Sequence, residues 1–209
     1  MKLIHQDYIV GYGSLLSHDS RLNHSQINEK AYPLELRGWQ RSWVTRSLEE
    51  KQTYVGATRQ LGAMMNGALI PTQEITLELE ERESDYRFTR LTVDDFSFEA
   101  YLPEAESLLK EQLVSSNIWV CETLMVNNAD DNYPVNQSYV DTCLIGCLEV
   151  GGSAFAMQFI KQTLGWDNAW VNDRIAKRYP RYARISEVDQ ARIDSELDSI
   201  LHHRSELAA

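Results

Sequence analysis

Apolar and polar positions along the chain mark out a run of short strands followed mainly by helices. Tyr8-Ile9-Val10 is a short apolar, β-branched-containing run that feeds straight into the turn Gly11-Tyr12-Gly13-Ser14-Leu15. After a polar stretch from Ser17 to Lys30, read as loop or irregular helix, Leu34 to Val44 has strand character with a break or bulge at Gly38. Tyr54 to Thr58 and Met65 to Ile70 are two further short strands, joined by a turn near Gly62. Thr72 to Arg82 switches to a helical rhythm, with Ile75, Leu79 and Arg82 on one face and Thr72 as N-cap. Strand alternation returns over Tyr86 to Val93, and Asn117 to Asn127 is a further strand rich in Val, Trp, Thr and Leu.

Past the loop Asn128 to Asn132, Pro134 precedes a helix from about Gln137 to Leu148. Gly151-Gly152 is the strongest internal punctuation. A second helix, Ala154 to Leu164, and a Trp-containing turn follow it. A final amphipathic helix begins near Ser186 and carries Val188, Ile193, Leu197, Ile200 and Leu201. Strands first and helices later predict an α+β fold: a small, bent or barrel-like mixed sheet surrounded by helices. The division expected is one domain over residues 1–151 and a helical C-terminal extension, 152–209, packed on it.

Composition narrows the setting. The 209 residues suffice for one sizeable core, and a formal net charge of -11 opposes general binding to phosphate backbones. Residues 1–10 hold no long apolar segment, and no stretch approaches the length of a membrane span, so a cytoplasmic protein without a membrane partner is expected. Cys121, Cys143 and Cys147 are read as buried thiols and not as a disulfide framework or metal site.

The turn Gly11 to Leu15 carries the first chemistry. Glycines there can take positive φ and let backbone approach a ligand, and successive N–H groups form a concavity for carboxylates or an oxyanion. Gly11-Tyr12-Gly13-Ser14-Leu15-Leu16 begins like a dinucleotide fingerprint but has Leu16 where the third glycine belongs. Ser14 is not in a nucleophile elbow, since Tyr12 and Leu16 hold the two glycine positions. His5, His18, His24, His202 and His203 include no metal-binding helical spacing. Taken singly, the turn is an ordinary strand-to-loop transition, Glu83 is one acid in a solvated run, and Tyr139 is a helix residue.

Their order, however, resembles that of the γ-glutamylcyclotransferase-like family. Gly11-Tyr12-Gly13-Ser14-Leu15 is similar to its Tyr-Gly-Ser signature, and Leu36-Arg37-Gly38-Trp39-Gln40-Arg41-Ser42-Trp43 to its second strand. Gly56-Ala57-Thr58, Gly62 and Gly67-Ala68-Leu69 match the strand pair that follows. Leu79-Glu80-Glu81-Arg82-Glu83-Ser84-Asp85-Tyr86 resembles the stretch whose last Glu is the family's general acid/base. Pro134-Val135-Asn136-Gln137-Ser138-Tyr139, with Gly146 and Gly151 beyond, resembles the segment opening its late helix. The resemblance spans residues 8–151. Glu80 departs mildly from the family's Asp, and Ser84-Asp85 replaces the usual glycine. Leu16-Ser17 lacks the aromatic typical of the glutathione-specific branch, which lowers the expectation of glutathione as substrate.

The resemblance implies a cofactor-independent enzyme that releases 5-oxoproline from a γ-glutamyl amine or peptide. The substrate's α-amino group attacks its own γ-carbonyl, so the protein mainly holds the folded conformer. Glu83 would be the catalytic acid/base. The N–H groups of Gly13, Ser14 and Leu15 would hold a carboxylate or the oxyanion, beside Gly11, with Tyr12 as a wall and Tyr139 as a donor. A non-catalytic small-ligand binder of the same fold is the alternative. A third reading treats the chain as an interaction module and rests on Trp166, Trp170, Tyr179 and Tyr182 beside Arg174, Lys177, Arg178, Arg181 and Arg184, a stretch that could bind an acidic partner or nucleic acid. Against it stands internal pairing with this acidic protein's own carboxylates, and no nucleic-acid partner is expected. Oligomeric state is left open.

Overall fold

A computed structural model describes residues 7–72, 83 and 85–207. Its frame is a mixed sheet of seven strands. Strand β1 (Asp7–Gly11) lies between β3 (Gln52–Thr72), to which it is antiparallel, and β6 (Asn117–Thr123), to which it is parallel. The order continues outward through β2 (Tyr32–Ser47) to β5 (Phe96–Ser97) on one side and to β4 (Tyr86–Leu91) on the other. Strand β8 (Thr163–Leu164) pairs in parallel with β2. The sheet does not close into a barrel, because β4 and β5 lie at opposite ends of its order. Val135–Asn136 (β7) and Trp170–Val171 (β9) form a separate two-stranded pair.

Four α-helices accompany the sheet among the described residues: α1 (His18–Ser25), α2 (Glu106–Leu113), α3 (Gln137–Gln162) and α4 (Glu187–Leu207). The expected α+β class is therefore the one observed. Tyr8, Ile9 and Val10 are buried, as suits a central strand covered on both faces. Cys121, Cys143 and Cys147 are buried thiols outside any disulfide.

Several boundaries differ from the pattern reading. The two strands expected on either side of Gly62 are halves of one strand, β3, and both pair antiparallel with β2. Between the pairs Arg37↔Met64 and Trp39↔Arg59, one residue of β2 faces four of β3. Gly38 and Gly62, at φ +74° and +79°, absorb the mismatch as a bulge. A local turn signal cannot distinguish such a bulge from a hairpin. The polar stretch after the turn contains a helix, α1, with Ser17 as its N-cap accepting from the Ser20 N–H. The helix expected over residues 72–82 lies outside the described residues, save Thr72, which ends β3.

The late helices follow the reading at Gly151-Gly152 and depart from it elsewhere. Helix α3 runs through Gly151 and Gly152, whose backbone angles are not helical, so two helices meet there at a kink. Contrary to the expectation, α3 is long enough, and one 18-residue window within it apolar enough at a mean hydropathy of 1.5, to cross a bilayer by length and composition. Its apolar character has a local cause: residues from Gln137 to Cys147 are buried against the sheet and its neighbours. Beyond α3 the chain is not uniformly helical. Residues 163–186 are extended or irregular, and only α4 follows.

Candidate functional site

Strand β1 stops at Gly11, and Ser14–Leu16 then forms a single 3-10 turn. The Leu16 N–H donates to the Gly13 carbonyl at 2.9 Å and the Ser17 N–H to that of Ser14 at 3.2 Å. The first N–H bonded within the turn is therefore that of Leu16, three residues after the Gly13 carbonyl that accepts it. Two buried arginines hold the carbonyls behind it. Arg41 donates to the Tyr12 carbonyl at 3.3 Å, and Arg21 donates to those of Leu15 and Leu16 at 2.8 and 2.7 Å. In a trans peptide the C=O and N–H point opposite ways, so Arg41's hold on Tyr12 directs the Gly13 N–H away from the arginine.

Neither Gly11 nor Gly13 has positive φ, which corrects the expectation for this turn. Gly13 sits at φ -137°. The glycines serve close approach instead. A Cβ on Gly13 would lie 2.7 Å from Val55 Cγ2 and 2.9 Å from the Tyr139 hydroxyl, and one on Gly11 would lie 2.6 Å from Ile70 Cδ1.

The turn forms one side of a narrow cleft. Gly11, Tyr12, Gly13, Ser14, Leu15, Glu83 and Tyr139, all singled out in the sequence, line this cleft together. Tyr139 projects from the first turn of α3 and packs edge-on against Tyr54 and Tyr179, with ring centroids 4.7 and 4.8 Å away. The Tyr12 hydroxyl donates to the Cys121 carbonyl at 2.5 Å and the Tyr86 hydroxyl to that of Val55 at 2.7 Å. Burial, above all, pushes the phenols of Tyr12, Tyr86 and Tyr139 well above the ordinary tyrosine range, so all three remain protonated donors. The negative charge of Glu83 adds to the rise at Tyr12 and Tyr86.

Glu83 is half-buried in the turn that enters β4, where its carbonyl accepts from the Tyr86 N–H at 3.0 Å. A second carboxylate, Asp85, lines the same cleft. Burial raises its pKa first of all. Glu50's charge adds to that rise, while a Ser47 hydrogen bond and Arg181 oppose it. A larger cavity of about 710 Å³, bordered by His18, Arg21, Lys30 and Glu149, contains none of the predicted site residues.

Pattern reading missed the far wall of the cleft. Tyr179 and Arg181 belong to the segment after α3 and line the cleft with the turn. The Tyr179 hydroxyl donates to Ser14 Oγ at 2.8 Å. Buried Asp173 anchors this segment by accepting from the Ser138 N–H at 2.7 Å, the Ser138 hydroxyl at 2.6 Å and the Arg178 N–H at 2.7 Å. It thereby caps the start of α3 from a distant part of the chain. The basic residues of this stretch are largely engaged internally. Arg174 meets Asp141 and Asp194, each at 2.7 Å, Arg181 meets Glu50 at 2.9 Å, and Arg184 meets Asp19 at 2.8 Å. The only sequence signal for Tyr179 and Arg181 was this basic, aromatic composition, which does not say which side chains turn inward.

The architecture around the cleft is the α+β fold of γ-glutamylcyclotransferase-like structures. A solved gamma-glutamyl cyclotransferase matches over 90% of this chain and 98% of its own, with a TM-score of 0.53 and 13% identity. YkqA from Bacillus subtilis matches over 74% of this chain and 52% of its own, at TM-score 0.52 and 13% identity. The uncharacterized protein loc79017 from Homo sapiens covers 90% and 97%, also at TM-score 0.52 and 13% identity. At such identity the likeness is one of fold. No family model and no curated protein matches the sequence.

Proposed function

We propose that the protein is a γ-glutamylcyclotransferase-like enzyme that releases 5-oxoproline from a γ-glutamyl amine or peptide. What carries the reading is one observation: the turn Gly13–Leu15, Glu83 and Tyr139 line a single cleft at the end of the central strand. The substrate's α-amine attacks the γ-carbonyl carbon, the amide C–N bond breaks, and the leaving amine departs with a proton. Glu83 takes the proton from the α-ammonium and returns one to the leaving amine, work suited to a half-buried carboxylate among aromatic walls. The backbone N–H groups of the turn hold a carboxylate or the oxygen of the γ-carbonyl as charge develops on it. Tyr12 walls the site and Tyr139 donates to the substrate.

Incubation with γ-glutamyl amino acids, glutathione and γ-glutamyl-lysine, assayed for 5-oxoproline, tests the reaction. Glu83→Gln is expected to fold normally and lose roughly 10²–10⁴-fold in rate, the usual span for one acid/base group. Full activity in that variant removes Glu83 from the mechanism. No product from any compound removes the reaction.

A further inference from the structure

A γ-glutamyl group carries two charges beside its reacting centre, an α-ammonium and an α-carboxylate. The cleft offers Glu83 and Asp85 to the first. Among the described residues that line it, the one lysine or arginine is Arg181. We propose that Arg181 anchors the substrate's α-carboxylate, an assignment that rests on the γ-glutamyl reading above.

The guanidinium is held in place before any ligand arrives. It lies 5.2 Å from the ring centroid of Tyr179 and 6.0 Å from that of Tyr54. Its Nη1 donates to Glu50 at 2.9 Å. Its Nε is buried and has no hydrogen-bond partner among the described residues. A buried charged N–H left unmatched is costly, and the planar fork of arginine matches the two oxygens of a carboxylate. With Glu50 occupying Nη1, the Nε edge of the fork is the one left for a ligand. Glu83 then faces the ammonium and Arg181 the carboxylate. The turn's backbone then serves the γ-carbonyl oxygen and not the α-carboxylate, one of the two roles the sequence leaves open.

This division makes the α-carboxylate a condition of recognition. An amide of 4-aminobutanoic acid can close the same ring, giving 2-pyrrolidinone, but offers Arg181 nothing. The test compares γ-glutamyl-alanine with 4-aminobutanoyl-alanine on the full chain, with released alanine as the common readout. Wild-type protein is expected to prefer the γ-glutamyl dipeptide. Arg181→Gln should raise KM for it by roughly 10–100-fold, the scale of one hydrogen bond to a charged group, with kcat little changed. The same variant should leave turnover of the decarboxylated dipeptide as it was. Arg181→Lys keeps the charge without the fork and should recover part of the loss. Glu50→Gln removes only the tether and should retain the preference.

Equal losses on both dipeptides in Arg181→Gln, or no loss on the γ-glutamyl one, overturn the anchor while leaving the cyclisation reading standing. If that variant does not fold, titration of wild-type protein with 5-oxoproline and 2-pyrrolidinone decides, and equal affinities overturn the proposal. Failure to release alanine or 5-oxoproline from any γ-glutamyl compound overturns the cyclisation reading, and the anchor with it.

Discussion

Gly13 shows how much of the candidate site depends on a missing side chain. With Val55 Cγ2 and the Tyr139 hydroxyl inside 3 Å of where a Cβ would stand, any substitution pushes against a strand on one side and a helix on the other. Gly13→Ala is expected to cost roughly 1–3 kcal/mol in denaturant unfolding, as overpacking does, and to abolish release of 5-oxoproline by displacing the turn. A variant with unchanged stability and activity would mean that the turn yields freely. Arg41 makes the complementary point. It is fully buried, donates to Thr163, Asn66, Phe159 and Tyr12, and lies 3.7 Å from the Phe159 ring centroid. Burial lowers its pKa to about 10, so it remains charged at neutral pH. In the sequence it is only the basic position of a strand motif. Its task of gathering carbonyls behind the turn appears once β2 and α3 are packed.

At the level of elements, the contact between α3 and the 3-10 turn governs the site. A Cβ at Gly146 would lie 2.3 Å from the Ser17 nitrogen and 2.4 Å from the Leu16 carbonyl carbon. Both are backbone atoms, which cannot rotate aside as a side-chain tip can. Alanine is intrinsically favoured over glycine in a helix by about 1 kcal/mol, so Gly146→Ala would stabilise an isolated α3. In this protein the clash outweighs that gain. Net destabilisation is expected by calorimetry, together with loss of activity; a raised melting temperature would contradict this packing. The sequence showed a helix here and a glycine in it. It could not show that Leu16 and Ser17, some 130 residues earlier in the chain, press on that glycine. The β2–β3 ribbon was misread for a related reason: Gly62 signals a change of direction, and only the partner strand determines whether it makes a hairpin or a bulge.

Across the whole molecule, the chain beyond α3 completes what the first strand begins. Asp173 ties it to the start of α3, and Tyr179 reaches the turn at Ser14. Asp173→Ala removes the acceptor for Ser138 and Arg178 together. It is expected to cost about 1–2 kcal/mol, in the range of a lost helix cap, and to make residues 163–186 more sensitive to limited proteolysis. Unaltered proteolysis would show that the segment is held elsewhere. The basic character of this stretch is absorbed largely by Asp141, Asp194, Glu50 and Asp19. That pairing weakens the case for an acidic partner at these arginines.

The sequence by itself determined what depends on near neighbours. The strand entering Gly11-Tyr12-Gly13-Ser14-Leu15, the opening of α3 at about Gln137 and the α+β class were legible from local periodicity, turn chemistry and the order of elements, while Glu83 stood out only through the resemblance of its surroundings to a known family. Tertiary structure alone decided which distant side chains meet those motifs. Ser14 and Tyr179 are 165 positions apart, and Arg181 lines the cleft whereas Arg174 and Arg184 of the same basic run pair with carboxylates outside it. Periodicity carries no information about such meetings. They follow from how α3 lies against the sheet and where Asp173 fastens the returning chain. The sequence singled out the turn as a candidate cradle for a small ligand, and the packing of the whole chain supplied the wall that faces it.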